Sequence, residues 1–187
     1  MTREDAGDLD GLRPVFTAED VLEPYRGTPV ESLILAQNLG QRFEAPGTID
    51  FAVATCIDPR VRLALPEGCA YLVRSAGVNV KNEGSFLFGY MSLMMGIRHI
   101  ALVAHEDCAM TRLKGTRSEF VTRLAEKSGA DADSVGSFFD SHSEYWHVDD
   151  EIETVRRHAA EIQARVGDEV VVAPLYYSLD NRLAQVI

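Results

Sequence analysis

Short, continuously apolar runs that alternate with helix-length segments constrain this chain most. Ile49 to Thr55, Cys69 to Arg74, Ile100 to Ala104 and Glu169 to Pro174 are such runs. Strands that are apolar throughout must be covered on both faces. The pattern therefore predicts an α/β fold, with a mostly parallel central β-sheet flanked by helices.

The segments between the runs carry helix signals. Thr28-Pro29-Val30-Glu31 predicts a helix start, with Thr as the cap, Pro in the first turn and Glu three residues after the cap. That helix is expected to reach about Phe43, before the break at Pro46-Gly47. From Glu83 to Ile97, Phe86, Tyr90, Leu93, Met94 and Ile97 recur at helical spacing. Thr116-Arg117-Ser118-Glu119 predicts a capping box opening a helix to about Lys127. Residues 128–143, rich in Gly, Asp and Ser, are expected to form a loop with a short helical piece. A long helix is expected from Asp149 to Val166, stopped by Gly167, and Asp180-Asn181 is a tight turn into a last strand, Leu183 to Ile187. Residues 1–27 are acidic and lack periodicity, so they are expected to form a loose N-terminal arm. Residues 28–187 are then a single domain, and 187 residues suffice for one sizeable core.

Charge excludes several partners. The formal net charge is −11, whereas nucleic acid and anionic membranes select a basic face. Neither is expected to bind. Three cysteines, an odd number in a chain too long to need staples, point to a reducing compartment where thiols bind metal or stay buried. The first residues show no apolar signal region, and no apolar run is long enough for a membrane span. A cytoplasmic location is the expectation.

Two stretches carry chemistry. Cys56-Ile57-Asp58-Pro59-Arg60 directly follows the first predicted strand, and His105-Glu106-Asp107-Cys108 directly follows the third. Two thiols and an imidazole are a ligand set that zinc accepts, leaving a fourth position for water or a carboxylate. Carboxyl ends of parallel strands are where open α/β sheets place their sites. Taken singly, Cys56 and Cys108 would be buried small hydrophobes and His105 a core histidine. Clustering at strand ends beside Asp58, Arg60, Glu106 and Asp107 favours the metal site. Cys108 also lies near a helix start, where the macrodipole favours thiolate. Cys69 has no partner motif and is expected to be a packed core thiol. Cys56 to Arg62 also has the C-x5-R spacing of a phosphatase loop. That loop lacks Gly, Pro59 removes one N–H, and Asp58 puts negative charge where phosphate would sit. Gly77, Gly84 and Gly89 do not form a dinucleotide-binding fingerprint.

With Arg74-Ser75-Ala76-Gly77 after the second strand, these motifs resemble the C-x-D-x-R, R-x-A-G and H-x-x-C series of the β-class carbonic anhydrases, in the same order. The stretch from Val170 to Asp180 is similar to that family's closing strand and hairpin, so the resemblance spans about residues 30–187. Thr48-Ile49-Asp50 lacks the Gln and Pro of plant-like members, which places the chain nearer the shorter prokaryotic type. The resemblance implies a Zn2+ ion on Cys56, His105 and Cys108, and an Asp58–Arg60 catalytic dyad. When Arg60 holds Asp58 away, a zinc-bound hydroxide converts carbon dioxide reversibly to bicarbonate, making the chain a zinc-dependent lyase. When Asp58 takes the fourth position, the site is closed. It also implies a homodimer or higher homo-oligomer. The same motifs serve hydrolases of carbonyl sulfide and carbon disulfide, for which Val78, Met94, Met95 and Met110 would supply an apolar pocket. A catalytically silent zinc-binding homologue is a third alternative. Pro59, Val78 and Ala109 depart from the family pattern. Pro59 is expected to stiffen its loop and Ala109 to crowd the helix start. His99, His142, His147 and His158 are candidate proton shuttles.

Overall fold

The computed structural model describes residues 11–44, 47–80 and 83–187. Its centre is a six-stranded sheet in the order β1-β6-β5-β4-β2-β3. The strands are β1 (Leu12–Pro14), β2 (Phe51–Thr55), β3 (Tyr71–Arg74), β4 (His99–His105), β5 (Val171–Ser178) and β6 (Arg182–Val186). β3, β2, β4 and β5 run parallel, and β6 and β1 close the other side antiparallel. The helices are α1 (Pro29–Leu39), α2 (Glu83–Met95), α3 (Arg117–Ser128), α4 (Ala132–Trp146) and α5 (Glu151–Val166).

Alternation along the central strands builds two cores. Ala52 and Ala54 of β2, with Ile100, Leu102 and Ala104 of β4, face Phe88 and Met91 of α2 and Val155, Ala159 and Ile162 of α5. Phe51, Val53, Ala101 and Val103 point the other way, toward Leu33 and Ile34 of α1. Both faces of β2 and β4 are thereby buried, which is why their sequences are apolar without interruption. Among the described residues, no helix is long and apolar enough to cross a membrane.

Four expectations need correction. Residues 11–27 are not loose: β1 extends the sheet beside β6, and Val15, Val21 and Tyr25 fill the α1-side core. The Leu22 N–H donates to Gln185 Oε1 (2.7 Å), and Gln185 Nε2 returns a bond to the Asp20 carbonyl (3.1 Å). The apolar anchors are irregularly spaced, so periodicity alone does not reveal them. Residues 1–10 of that arm lie outside the described residues. The segment 128–143 is mostly helix: α4 begins at the Asp131 cap, whose Oδ2 accepts the Ser134 N–H (2.9 Å), and buries Val135 and Phe139 at i, i+4.

Thr116 caps nothing, because the chain enters α3 from a 3-10 run, Ala109–Thr116, and the Thr116 hydroxyl donates to the Leu113 carbonyl (2.7 Å). The fourth correction concerns β5, which continues past Pro174. β6 joins it only from Leu175 onward, so the missing N–H of Pro174 falls outside the antiparallel ladder. The spacing stripe on α2 is also informative. Phe86, Leu93 and Met94 are 74%, 85% and 69% exposed, while Phe88 and Met91 are the core-facing residues.

Candidate metal centre

β2 and β4 lie side by side in parallel, with Thr55 opposite Val103. The residues that leave their carboxyl ends, Cys56 and His105, are therefore neighbours. Past His105 the chain turns through Asp107, which adopts a left-handed φ of 54° that Asp tolerates better than most residues. That turn brings Cys108 back toward the strand ends. One ligand atom each from Cys56, His105 and Cys108 lies within 4.8 Å of the others, and all three residues are buried.

The surrounding loops fix each donor. The Glu106 N–H bonds the Tyr177 carbonyl (2.9 Å), the Glu106 carboxylate accepts the Leu179 N–H (2.9 Å), and the Cys108 N–H donates to Glu151 Oε1 at the start of α5 (3.1 Å). The loop after β3 serves Cys56. Arg74 donates to the Cys56 and Val61 carbonyls (2.9 and 3.2 Å), and the Gly77 N–H points at Cys56 Sγ (3.3 Å). Gly77 has a φ of 64°, and a Cβ there would lie 2.6 Å from Val148 Cγ2. Only glycine brings that N–H so close. Val78 beside it is buried with a φ of 53°, a strained conformation for a β-branched residue.

The electrostatics suit a soft cation. His105 Nδ1 lies 2.9 Å from the Glu106 carbonyl, which places the N–H on Nδ1 and leaves the lone pair on Nε2. Nε2 is buried without a hydrogen-bond partner. Burial opposes the charged form of His105, but the Cys56 thiolate beside it raises its pKa overall. Hydrogen bonding from Cys108 holds Cys56 far below the usual thiol range, to about 4, against the cost of burial. The same thiolate, with burial, pushes Cys108 upward. The two buried sulfurs are close enough to share a hydrogen bond, and Cys56 has the Gly77 N–H in addition. A nitrogen lone pair and two sulfurs, converging and buried, are donors that fit a metal cation with tetrahedral preference.

Asp58 and Arg60 form a close pair at the edge of this cluster. Arg60 Nη2 and Nε reach Asp58 Oδ2 and Oδ1 (2.8 and 3.1 Å), and the Arg60 N–H also donates to Oδ1 (2.8 Å). These bonds hold the Asp58 carboxyl well down, to about 2. Pro59 occupies the second position of the turn closed by the Val61 N–H on the Asp58 carbonyl (3.1 Å), a position that favours proline. Ala109 is exposed, so its methyl meets solvent and crowds nothing.

Several other sequence candidates lie apart. Arg62 is exposed, and its N–H and carbonyl are bonded to Tyr177 Oη and Gln37. Cys69 is a core thiol donating to the Pro66 carbonyl (2.9 Å). Met94 and Met95 are exposed on α2. His99 sits at the amino end of β4, His158 is buried in α5, and His142 is exposed on α4. His147 contacts the loop after Cys108, through the Met110 carbonyl (3.1 Å). Sequence reasoning missed Glu151, Tyr177 and Arg112. Glu151 and Tyr177 act through contacts distant in sequence, and Arg112 acts through Asp107, five residues away across the turn after β4.

No family model and no curated protein matches the chain. Solved structures do. The chain is similar to β-carbonic anhydrase isoform I of Trichomonas vaginalis, with a TM-score of 0.60 and 16% identity over 82% of this chain and 91% of that one. It is similar to the carbonic anhydrase of Streptococcus mutans, with a TM-score of 0.57 and 20% identity over 89% of this chain and 100% of that one. The apo form of a carbon disulfide hydrolase matches with a TM-score of 0.54 and 18% identity over 82% of this chain and 84% of that one. At such identities what is shared is the architecture, and the chain has the fold of the β-class carbonic anhydrases.

Proposed function

We propose that this protein is a zinc-dependent carbonic anhydrase that interconverts carbon dioxide and bicarbonate. The observation that carries the reading is the convergence of Cys56, His105 and Cys108 within 4.8 Å, beside an Asp58 held by Arg60. Cys56 Sγ, Cys108 Sγ and His105 Nε2 would hold the ion. The chemistry zinc supplies in such a site is Lewis-acid activation of water as a nucleophile toward a carbonyl carbon. Arg60 holds the Asp58 carboxylate, which would keep it from ligating the ion and leave it ionised as a hydrogen-bond acceptor. Asp58 released from Arg60 would be free to ligate the ion itself and close the site. Gly77 steadies the Cys56 thiolate, and Glu151 fixes the turn that carries Cys108.

The protein acts as a homo-oligomer, with the exposed apolar face of α2 as the contact surface; a face carrying Phe86, Leu93 and Met94 is of the kind that marks an interface. Three free thiols suit a reducing, cytoplasmic setting.

Stopped-flow carbon dioxide hydration on the zinc-loaded protein, from neutral to about two pH units above, tests the reading. One zinc per chain and turnover are expected, and His105→Ala is expected to lose both. Bound zinc without turnover at any pH would overturn the assignment. Sulfide release from carbonyl sulfide or carbon disulfide that exceeds carbon dioxide turnover would move it to the hydrolase chemistry known for the same fold.

A further inference from the structure

Arg60 does not belong to Asp58 alone. Its Nη1 reaches Asp107 Oδ2 (3.0 Å), and its Nη2 also donates to the Asp107 carbonyl (3.0 Å). Asp107 Oδ1 in turn accepts from Arg112 Nη1 (2.7 Å). The four side chains form a row of alternating charge: Asp58, Arg60, Asp107, Arg112. The left-handed φ of Asp107 turns both its carbonyl and its carboxylate toward Arg60. One guanidinium thus staples the loop after β2 to the loop after β4, which carry Cys56 and Cys108.

We propose that Asp107 and Arg112 are positioning residues that set how tightly Arg60 holds Asp58, and hence the balance between an open site and one closed by Asp58. The inference rests on the metal-centre reading above. If Asp58 leaves Arg60, the guanidinium is not stranded, because Asp107 still pairs with it. Asp107 therefore lowers the cost of closure. Removing its charge leaves Asp58 as the only carboxylate on Arg60 and favours the open state. Arg112 works in the opposite sense. It draws on the Asp107 carboxylate, so removing it frees Asp107 to compete harder for Arg60 and favours closure. Arg112 bonds Asp107, and its effect runs through that carboxylate. The groups are 43%, 47% and 60% exposed at Arg60, Asp107 and Arg112, so each effect is expected to be a few-fold rather than all-or-none.

Thiocyanate competes with Asp58 for the fourth position, so its binding reports the balance without any turnover. The full-length protein loaded with cobalt(II) would be titrated with thiocyanate by visible absorption. Asp107→Asn is expected to tighten thiocyanate about threefold and Arg112→Gln to weaken it about threefold, with Arg112→Lys near wild type. A general change in local field would give the same signs, so both substitutions are repeated in an Asp58→Asn background, where no carboxylate competes. The shifts are expected to collapse there. Shifts of the same sign in the two single variants, or shifts that persist undiminished with Asp58→Asn, would overturn the proposal. So would cobalt and thiocyanate binding that neither substitution moves, and that result would leave the metal-centre reading intact. Failure to take up cobalt at all would remove that reading and this inference with it.

Discussion

At the ends of β2 and β4 the polar groups of the loops are tied within the chain, whereas the outer face of α2 leaves its largest apolar side chains uncovered. The first region draws on four separated segments. Arg74 and Gly77 support Cys56, Glu151 supports Cys108, and Arg60 joins the two ligand loops. The second region is a single helix whose inner face, Phe88 and Met91, is buried, while its outer face carries Phe86, Leu93 and Met94 in the open. The difference separates what one chain completes by itself from what it leaves exposed. Ligand geometry is finished by contacts inside the chain, and burial of α2 is not.

The most disruptive way to break this contrast is to charge the open face. Leu93→Arg is expected to convert the oligomer wholly to monomer in sedimentation velocity while metal uptake stays unchanged. A wild type that already sediments as a monomer would remove the contrast. Next in size is a change at the closed corner. Gly77→Ala forces a Cβ against Val148 and strains a left-handed residue. It is expected to cost about 1–3 kcal/mol in urea unfolding and to weaken metal binding, with assembly unaffected.

The smallest effect is expected at a site belonging to neither region. Arg117 grips Asp140 across α3 and α4 through two bonds (2.6 and 2.7 Å) and holds its carboxyl below the usual range. Because that pKa is depressed on folding, the stabilisation is present above the ordinary aspartate value of 3.8 and is lost as pH falls through the folded one. Asp140→Asn should therefore lower the melting temperature slightly at neutral pH and low salt. The gap should narrow in high salt and vanish in acid.

Much of this was legible in the sequence because it depends on local pattern. Uninterrupted apolar runs marked β2 and β4, and Thr28-Pro29 marked the start of α1, where the Thr28 hydroxyl does accept the Val30 N–H (3.2 Å). The reading faltered where two local signals compete. Thr116 fits a capping box, yet a preceding 3-10 run leaves it no exposed helix end to cap. The Ser- and Asp-rich surface of α4 hid the buried pair Val135 and Phe139. Of the stripe read by spacing, Phe86, Tyr90, Leu93 and Met94 on α2 proved exposed and Ile97, past the helix end, proved buried, since periodicity gives a face but not its direction.

The sequence by itself determined the candidate donor set and its placement at strand ends. Cys56, His105 and Cys108 follow apolar strands, and a strand end is set by short-range pattern. Only the tertiary structure decided that those side chains converge, and what surrounds them. That β2 and β4 are adjacent follows from sheet order, not from any residue in either strand. That Arg60 serves both Asp58 and Asp107, with Arg112 behind them, depends on side chains up to 54 positions apart meeting at one corner. Such meetings are fixed by packing across the whole sheet, which no window of sequence contains.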